Sequence, residues 1–187
     1  MANGEVPPKG TFAIMGQDVG EFGSDSNVTC FRYGGFVERF VVWGGVDTVK
    51  TSDRAVSEYE ARTVSRVNVD ATGVGAGVAP QMKRSGCNAT PVKVASSPTE
   101  TTELGEFQIL RDQLWWACRE WLRTDPGAML PPDEQLIEEL QTPTYEVQNG
   151  KIRVMKKVTM RELLKRSPDK ADALCLTFFQ PSLLFNF

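Results

Sequence analysis

Residues 66–77 read RVNVDATGVGAG, and this stretch indicates how the surrounding part of the sequence folds. Arg66 to Val69 is a short β-branched run of the kind that forms a strand, and it ends at Asp70 and opens into a glycine-rich turn. We predict a helix from Gly77 to Arg84 and another strand from Thr90 to Val94. A strand, a helix and a second strand in this order indicate parallel pairing with a right-handed crossover.

The sequence before this unit predicts three successive strands. Thr11 to Gln17 is an apolar run that ends at Asp18. Asn27–Tyr33 and Phe36–Trp43 are joined by Gly34-Gly35, which is a hairpin signal. We therefore expect an antiparallel meander to precede the parallel strands.

The rest of the chain is mainly helical in pattern. The predicted helices are Ser52–Thr63 with Ser52 or Asp53 as N-cap, Glu106–Arg123, Asp133–Leu140, and Pro168–Phe179 with Ser167 as N-cap. Trp115 and Trp116 could stack on bases, but one of two adjacent helical residues nearly always faces the core, so packing is the favoured role.

Two further segments complete the predicted organisation. A second hairpin turns at Asn149-Gly150, and residues 95–105 are polar without periodicity and predict a mobile loop. The fold class is α/β: a mixed sheet with three antiparallel strands and then parallel strands, and helices on both faces. We expect a lead-in over residues 1–10 and one domain over residues 11–187.

Composition restricts the chemistry, because none of the 187 residues is histidine. This excludes serine–histidine and cysteine–histidine nucleophile pairs and most zinc enzymes. Catalysis would rest on carboxylates, lysine, hydroxyl groups or metals held by oxygen, and carboxylates favour Mg²⁺ or Mn²⁺ over zinc. The four cysteines show no C-x-x-C spacing, which indicates small buried residues in a reducing compartment. No run approaches the ~20 apolar residues of a membrane span, so we expect no membrane segment.

Acidic residues stand where predicted elements begin or end. Asp18 closes the first strand, Asp70 closes the fourth, and Asp169 and Asp172 lie in the first turns of the last helix. If the first and fourth strands are neighbours, their carboxylates lie side by side, and a helix packed on that edge adds a third. Taken singly, each acid could be a helix cap or an exposed turn residue. Together they would repel unless cations lay between them, as in two-metal phosphodiester cleavage.

The glycine run also invites comparison with a dinucleotide-binding fingerprint. Counting G-x-G-x-x-G/A from Gly73 reaches Val78, and counting from Gly75 reaches Pro80, so the spacing fails. Residues 86–99 contain no acidic residue to hold a ribose hydroxyl. A metal ligand followed by a tight turn suits this stretch better than a nucleotide site.

Charge is unevenly distributed along the chain. The net charge is −3, yet residues 151–170 hold eight basic residues against two acidic ones, while Glu100 to Glu146 is strongly acidic. The basic segment indicates an anionic partner near the C-terminal end. Solvated faces of a hairpin and a helix would give the same pattern.

Three acidic motifs resemble those of the nuclease domain of tailed-phage terminase large subunits. They are Gly-Gln-Asp-Val-Gly at 16–20 followed by Gly23-Ser24-Asp25, Val-Asp-Ala-Thr-Gly-Val-Gly-Ala-Gly-Val at 69–78, and Ser-Pro-Asp-Lys-Ala-Asp-Ala-Leu at 167–174. The basic segment at 151–157 also fits the family. The resemblance covers about residues 11–180.

The resemblance implies a ribonuclease-H-like fold and an endonuclease that cuts double-stranded viral DNA during genome packaging with Mg²⁺ or Mn²⁺. By this resemblance, Asp18, Asp70 and one aspartate of the third motif bind two divalent cations. We rank Asp172 first for that place because apolar residues surround it, with Asp169 sharing the site or holding a metal-bound water.

The resemblance also implies partners and a setting. An ATPase motor domain precedes the nuclease in full-length members, so this chain would be the isolated C-terminal nuclease domain, working in the host cytoplasm. The residues expected to grip DNA without sequence preference are Lys151, Arg153, Lys156, Lys157 and Arg161. The alternative is a non-catalytic DNA-binding or assembly module, whose acidic region binds the portal or the small terminase subunit.

Overall fold

The computed structural model describes residues 6–20, 26–44 and 47–181. Its strands are β1 Ala13–Asp18, β2 Asn27–Tyr33, β3 Phe36–Val37, β4 Val41–Trp43, β5 Val64–Asp70, β6 Ala89–Val92, β7 Thr101–Thr102, β8 Gly105–Phe107, β9 Tyr145–Gln148 and β10 Lys151–Val154. Its α-helices are α1 Thr48–Glu60, α2 Val78–Arg84, α3 Leu110–Thr124, α4 Glu134–Gln141, α5 Lys157–Leu164 and α6 Asp169–Leu176. A 3₁₀ turn over Gly73–Gly77 leads into α2.

The main sheet has the order β3-β2-β1-β5-β6, with β4 also paired to β2. Strand β2 runs antiparallel to β1, β3 and β4, whereas β1 and β5, and β5 and β6, are parallel. The first and fourth predicted strands, β1 and β5, are therefore neighbours. The predicted fold class is confirmed, a mixed sheet whose antiparallel strands are followed by parallel ones.

Two apolar cores cover the two faces of this sheet. Helices α1 and α2 pack on one face, where Met15 and Phe31 are fully buried. Helices α3 and α6 pack on the other, around Cys30 and Leu174. Alternation along the strands sends consecutive side chains, such as Cys30 and Phe31, into opposite cores. Each large side chain buried in this way contributes about 1.5–3 kcal/mol.

Helix α6 lies unusually close to the sheet because Gly16 has no side chain. A Cβ atom built on Gly16 would stand 2.0 Å from the carbonyl oxygen of Ala173 in α6. Only glycine permits this separation, since a carbonyl oxygen of a helix cannot move aside as a side chain could. The contact places α6 over the central strand β1.

Helix α1 begins four residues before the predicted start at Ser52, so the predicted N-cap is wrong. Asp47 caps the helix, its carboxylate accepting a hydrogen bond from Lys50 N at 2.9 Å. Ser52 lies inside the helix, where its hydroxyl donates to the carbonyl of Thr48 at 2.8 Å. A hydroxyl or carboxyl side chain can act at a cap or within a turn, so sequence alone allowed the later start.

The predicted loop over residues 95–105 and the predicted helix start at Glu106 also need correction. Residues of both segments form a small second sheet, β7-β8-β10-β9, in which Glu106 pairs with Lys151. Helix α3 begins only at Leu110. The hairpin of β9 and β10 was predicted, but its parallel partner β8 is too short to leave a pattern.

Three smaller differences separate the predicted elements from the observed ones. The predicted strand Phe36–Trp43 is interrupted between β3 and β4, where Glu38 turns to pair with Arg62 at 2.8 Å. Helix α5 was not predicted. Pro168 occupies the N-cap position of α6 instead of Ser167, and it supplies no side-chain cap.

Within the described ranges, no helix has the length and apolar character needed to cross a bilayer.

Candidate active site

Asp18 and Asp70 stand side by side at the carboxyl ends of two neighbouring parallel strands. Asp18 ends β1 and Asp70 ends β5, in a register that pairs Gln17 with Val69. Asp18 is only 4% exposed. Both carboxylates line one cavity of about 320 Å³. The placement expected from the ends of the strands is what the structure shows.

The turn after β5 explains the glycine run of the second motif. Thr72 N donates to Asp70 Oδ1 at 2.9 Å, which fixes the carboxylate over the start of the turn. A Cβ atom on Gly75 would lie 2.1 Å from the carbonyl oxygen of Asp70. The chain can fold back on Asp70 only because position 75 lacks a side chain.

Helix α6 brings the third motif to the same cavity. Asp169 and Asp172 both line it, and their side chains are 15% and 13% exposed. Burial therefore does not separate the two aspartates. Their hydrogen bonds within the described part of the chain differ: Asp169 accepts a long one from Ser26 N at 3.4 Å, whereas Asp172 accepts from Trp115 and Lys157. The Gly23-Ser24-Asp25 part of the first motif lies outside the described residues.

Lys157 lies among three of the carboxylates. Its ammonium nitrogen is 2.8 Å from Asp172 Oδ2, 3.8 Å from Asp169 Oδ1 and 3.9 Å from Asp18 Oδ2. Lys157 is the first residue of α5, the helix that was not predicted, so α5 carries this charge into the cavity. One cation thus compensates a cluster of like charges that would otherwise repel.

The carboxylates differ in their electrostatic setting. Burial raises the pKa of Asp18 well above its ordinary value, and Asp172, Asp169 and Asp70 raise it further against the opposing effect of Lys157. Burial alone would also raise the pKa of Asp172, but Lys157 and other donors bring it below its ordinary value. Asp172 is therefore the more firmly ionised of these two groups.

Two residues of α3 orient Asp172. The indole N–H of Trp115 donates to Asp172 Oδ1 at 2.9 Å, and Arg111 Nε lies 3.8 Å from the same oxygen. Oδ2 is left to face Lys157. The predicted packing role of Trp115 is incomplete, because the ring packs in the core while its N–H holds an acidic side chain. A buried indole N–H needs an acceptor, and that need was the available signal.

A polar groove adjoins the acidic cavity and contains predicted DNA-binding residues. It has a volume of about 580 Å³ and shares Arg111 and Lys157 with the cavity. Arg153 and Lys156 line the groove, and Arg161 lines the acidic cavity itself. Lys151 lies on β10, two residues before Arg153 and on the same side of the strand. The structure thus brings most of the predicted basic residues next to the carboxylates.

Among residues 6–20, 26–44 and 47–181, no three carboxylates or thiols close tightly enough around one point to hold a metal ion in this conformation. The Lys157 ammonium lies between Asp18, Asp169 and Asp172, with its nitrogen 2.8–3.9 Å from their oxygens. A magnesium ion requires oxygens at about 2.0–2.1 Å. The donor set itself is a set of hard oxygen ligands around a point already taken by a cation, and it fits a divalent metal.

The mixed sheet with acidic residues at the ends of its central parallel strands defines the class of the ribonuclease-H-like nucleases. The family described as the terminase RNaseH-like domain matches residues 16–180, so this chain belongs to that family. A search of curated protein sequences gives no match. The family assignment and the resemblance of the three motifs therefore agree.

Solved structures support the same assignment. The nuclease domain of the large terminase subunit gp2 of bacterial virus Sf6, a point mutant with calcium, is 27% identical, with a TM-score of 0.76 over 92% of this chain and 90% of that one. Another structure of a mutant of that domain, with manganese and β-thujaplicinol, is 25% identical, with a TM-score of 0.74 over 93% and 90% of the chains. The large terminase nuclease of thermophilic phage G20c, at 20% identity and a TM-score of 0.64 over 93% and 84%, shares the fold.

Proposed function

We propose that this chain is a metal-dependent endonuclease that cleaves double-stranded viral DNA during genome packaging. Asp18, Asp70 and Asp172 would hold two divalent cations, Mg²⁺ or Mn²⁺, with Asp169 assisting. The family assignment supports a nuclease role in packaging. Solved relatives contain manganese in the Sf6 domain, and magnesium, cobalt or zinc in the G20c nuclease.

The observation that carries the proposal is the convergence of Asp18, Asp169 and Asp172 on the single ammonium of Lys157. A cluster of this kind has no structural need to exist, because each carboxylate could be solvated elsewhere at lower cost. The ammonium occupies the place where a positive charge is required. The cavity also shares Arg111 and Lys157 with an adjoining groove, which offers a path by which a DNA backbone could reach it.

Asp18, Asp70 and Asp172 would hold the metal, which when bound would supply activation of a water molecule and stabilisation of the leaving oxygen in phosphodiester cleavage. The residues of this chain have separate tasks. Trp115 and Arg111 keep one oxygen of Asp172 occupied, which fixes the direction of the other. Thr72 N does the same for Asp70. Lys157 balances the charge of the cluster, and the other predicted basic residues would grip the phosphate backbone without reading sequence.

A plasmid-nicking assay with Mn²⁺ tests the proposal. We expect the wild-type chain to convert supercoiled plasmid to open circles, and Asp70→Asn and Asp172→Asn to lose this activity by at least about 100-fold, since even outer-shell partners are worth 10–100-fold. Asp53→Asn, an exposed residue of α1, is the matched control and should cleave as the wild type does. Unchanged cleavage by Asp70→Asn would refute the proposal.

The same assay, combined with a measurement of DNA affinity, separates the alternative function. Strong DNA binding by the wild-type chain without metal-dependent cleavage would favour a non-catalytic binding or assembly module of the packaging motor. In either case the proposed setting is the host cytoplasm, with an ATPase motor domain in the full-length chain. The portal and the small terminase subunit are the proposed partners of the acidic region over residues 100–146.

A further inference from the structure

A buried carboxylate from another helix caps the first turn of α6. The helix has no side-chain cap of its own, because Pro168 occupies its N-cap position. Glu139 of α4 provides the cap, because its Oε2 accepts a hydrogen bond from Ala171 N at 2.9 Å. Glu139 has no exposed surface. Ala171 lies between Asp169 and Asp172 in sequence, so this bond is made within the turn that carries both site carboxylates.

The opposite end of α6 is held by cationic and amide donors. The Arg32 guanidinium donates to Thr177 O at 2.9 Å, Arg66 donates to Phe179 O at 3.0 Å, and Asn68 Nδ2 donates to Leu176 O at 2.8 Å. A carboxylate at the N-terminus and cations at the C-terminus complement the helix dipole. The helix is therefore fixed along its axis at both ends, while Gly16 sets its distance from the sheet.

Stability alone does not explain the choice of Glu139. Among the described residues its Oε1 makes no hydrogen bond, and Arg166 Nε, at 3.6 Å, is the nearby charge. A fully buried carboxylate with one oxygen that accepts no hydrogen bond is costly, and an apolar residue would fill the space without that cost. What an apolar residue could not do is accept the Ala171 N–H and set the position of that turn.

We propose that Glu139 is a positioning residue for the nuclease site, holding the first turn of α6 so that Asp169 and Asp172 face Asp18 and Lys157. The metal-binding part of this inference rests on the proposed function. The placement of Asp172 does not, because it can be followed without metal through the hydrogen bond from Trp115. Side-chain length should matter more than charge, since the acceptor must reach Ala171 N.

Two variants separate length from charge. Glu139→Gln keeps the length and an acceptor oxygen but loses the charge, whereas Glu139→Asp keeps the charge but withdraws the acceptor. Glu139→Met, with similar length and no oxygen acceptor, is a second variant in case the shorter acid unfolds the chain. Glu134→Gln, at an exposed position of α4, is the control. Cooperative thermal melting of each variant establishes that it is folded.

The first readout is the indole N–H resonance of Trp115 in metal-free protein, assigned by its loss in Trp115→Phe. We expect it to keep its position in Glu139→Gln and to shift in Glu139→Asp and Glu139→Met, because Asp172 moves away from the indole. An unchanged resonance in both of the latter variants, or a shift in Glu139→Gln alone, overturns the proposal. This readout decides the inference even if the chain binds no metal.

The second readout is the affinity for Mn²⁺ measured by calorimetry. We expect the Kd to rise about tenfold in Glu139→Asp and less than threefold in Glu139→Gln, in the range seen when an outer-shell partner is lost. The reverse order would show that charge and not position is the contribution of Glu139, and it would overturn the proposal. Absence of Mn²⁺ binding by the wild-type chain would count against the proposed function and leave the Trp115 resonance to decide the inference.

Discussion

Lys157 is the residue on which the electrostatics of the site depend. Three carboxylates lie within 4 Å of its ammonium, and burial alone would lower the pKa of the lysine, but Asp172 and Asp18 raise it well above its ordinary value. The ammonium is therefore charged throughout the working pH range. It holds the cluster together in the absence of metal, and a metal entering the cluster must displace it or share its place.

Replacement of Lys157 by methionine should lower the stability of the metal-free protein and increase the stabilisation that it gains from metal. The side chain is 35% exposed, so we expect a loss of about 1–3 kcal/mol in the free energy of unfolding, below the 3–5 kcal/mol of a fully buried pair. Thermal melts in EDTA and in Mn²⁺ measure both effects. The rise in Tm on adding Mn²⁺ should exceed that of the wild type, because cation binding stabilises the folded state only.

The neighbouring Lys156, which is exposed, gives the control. Lys156→Met should melt as the wild type does in EDTA and gain the same Tm from Mn²⁺. If Lys157→Met shows the wild-type Tm in EDTA, the ammonium does not hold the carboxylates together, and this description of the cluster is wrong.

Glu139 should make the stability of the chain depend on pH. Burial raises its pKa from an ordinary 4.5 to about 7, while the Ala171 amide, Arg166 and Lys170 lower it and Asp169 raises it. Between these two values the folded state binds more protons than the unfolded state, so the free energy of unfolding falls as pH rises. The contribution is at most about 3 kcal/mol and is complete once the pH exceeds the folded-state pKa.

Denaturant unfolding at pH 5 and pH 8 measures this effect. Glu139→Gln cannot ionise, so its stability relative to the wild type should increase from pH 5 to pH 8. Glu134→Gln, changed at an exposed position on the same helix, should follow the wild type at both values. A constant difference between Glu139→Gln and the wild type would show that Glu139 keeps an ordinary pKa in the folded chain.

The contact of helix α6 with strand β1 sets the geometry of the site. Gly16→Ala would place a methyl group 2.0 Å from Ala173 O, and only movement of the helix can relieve that clash. We expect a loss of about 3 kcal/mol in the free energy of unfolding, at the upper end of overpacking effects. Because Ala173 follows Asp172, metal affinity should fall as well.

Gly77→Ala is the matched control for this change. A Cβ atom on Gly77 would meet only the Thr48 methyl group at 3.3 Å, so the stability should change by less than about 1 kcal/mol. Chemical denaturation and Mn²⁺ calorimetry on both variants check the prediction. Equal losses in the two variants would mean that the close approach of α6 is not specific to position 16.

The main sheet could be predicted from sequence because its strands carry apolar runs with clear ends. The strand–helix–strand order predicted the parallel pairing of β5 with β6. The pairing of β1 with β5, which brings Asp18 and Asp70 to one edge, entered the sequence analysis only as a condition, and the structure supplies it. Elements that owe their form to distant partners left little signal. Strand β8 is defined by its pairing with β10, and the eight residues of α5 are mostly basic or exposed.

The supporting residues of the site were also beyond the reach of sequence patterns. Trp115 lies 57 residues before Asp172, and Glu139 lies 32 residues before Ala171. Each belongs to a helix whose periodicity only indicates which face is buried. A buried indole N–H or carboxylate must have a partner, but which partner it finds depends on how the helices pack together. The acidic residues were recognisable because strand ends and motifs placed them.

A chain of net charge −3 would have to bind a polyanion such as DNA through one local surface. The groove next to the acidic cavity offers Arg153 and Lys156, while Glu146 also lines it and the carboxylates of the cavity adjoin it. Such binding should be weak and strongly dependent on salt, because it rests on release of counterions from the DNA. The salt dependence of the affinity should then report how many basic residues contact phosphate.

The affinity for a short DNA duplex, measured by fluorescence anisotropy in Ca²⁺ between about 25 and 200 mM salt, tests this surface. In each of the two variants Arg153→Ala and Lys156→Ala, the slope of log K against log salt should become shallower by about 1, which is the value for one lost phosphate contact. Lys83→Ala changes an exposed lysine of α2, on the opposite face of the sheet, and should leave the slope unchanged. If all three variants have the wild-type slope, DNA is bound elsewhere. If the slope becomes shallower in Lys83→Ala alone, the face that carries α2 is the DNA-binding surface, and the groove beside the acidic cavity is not.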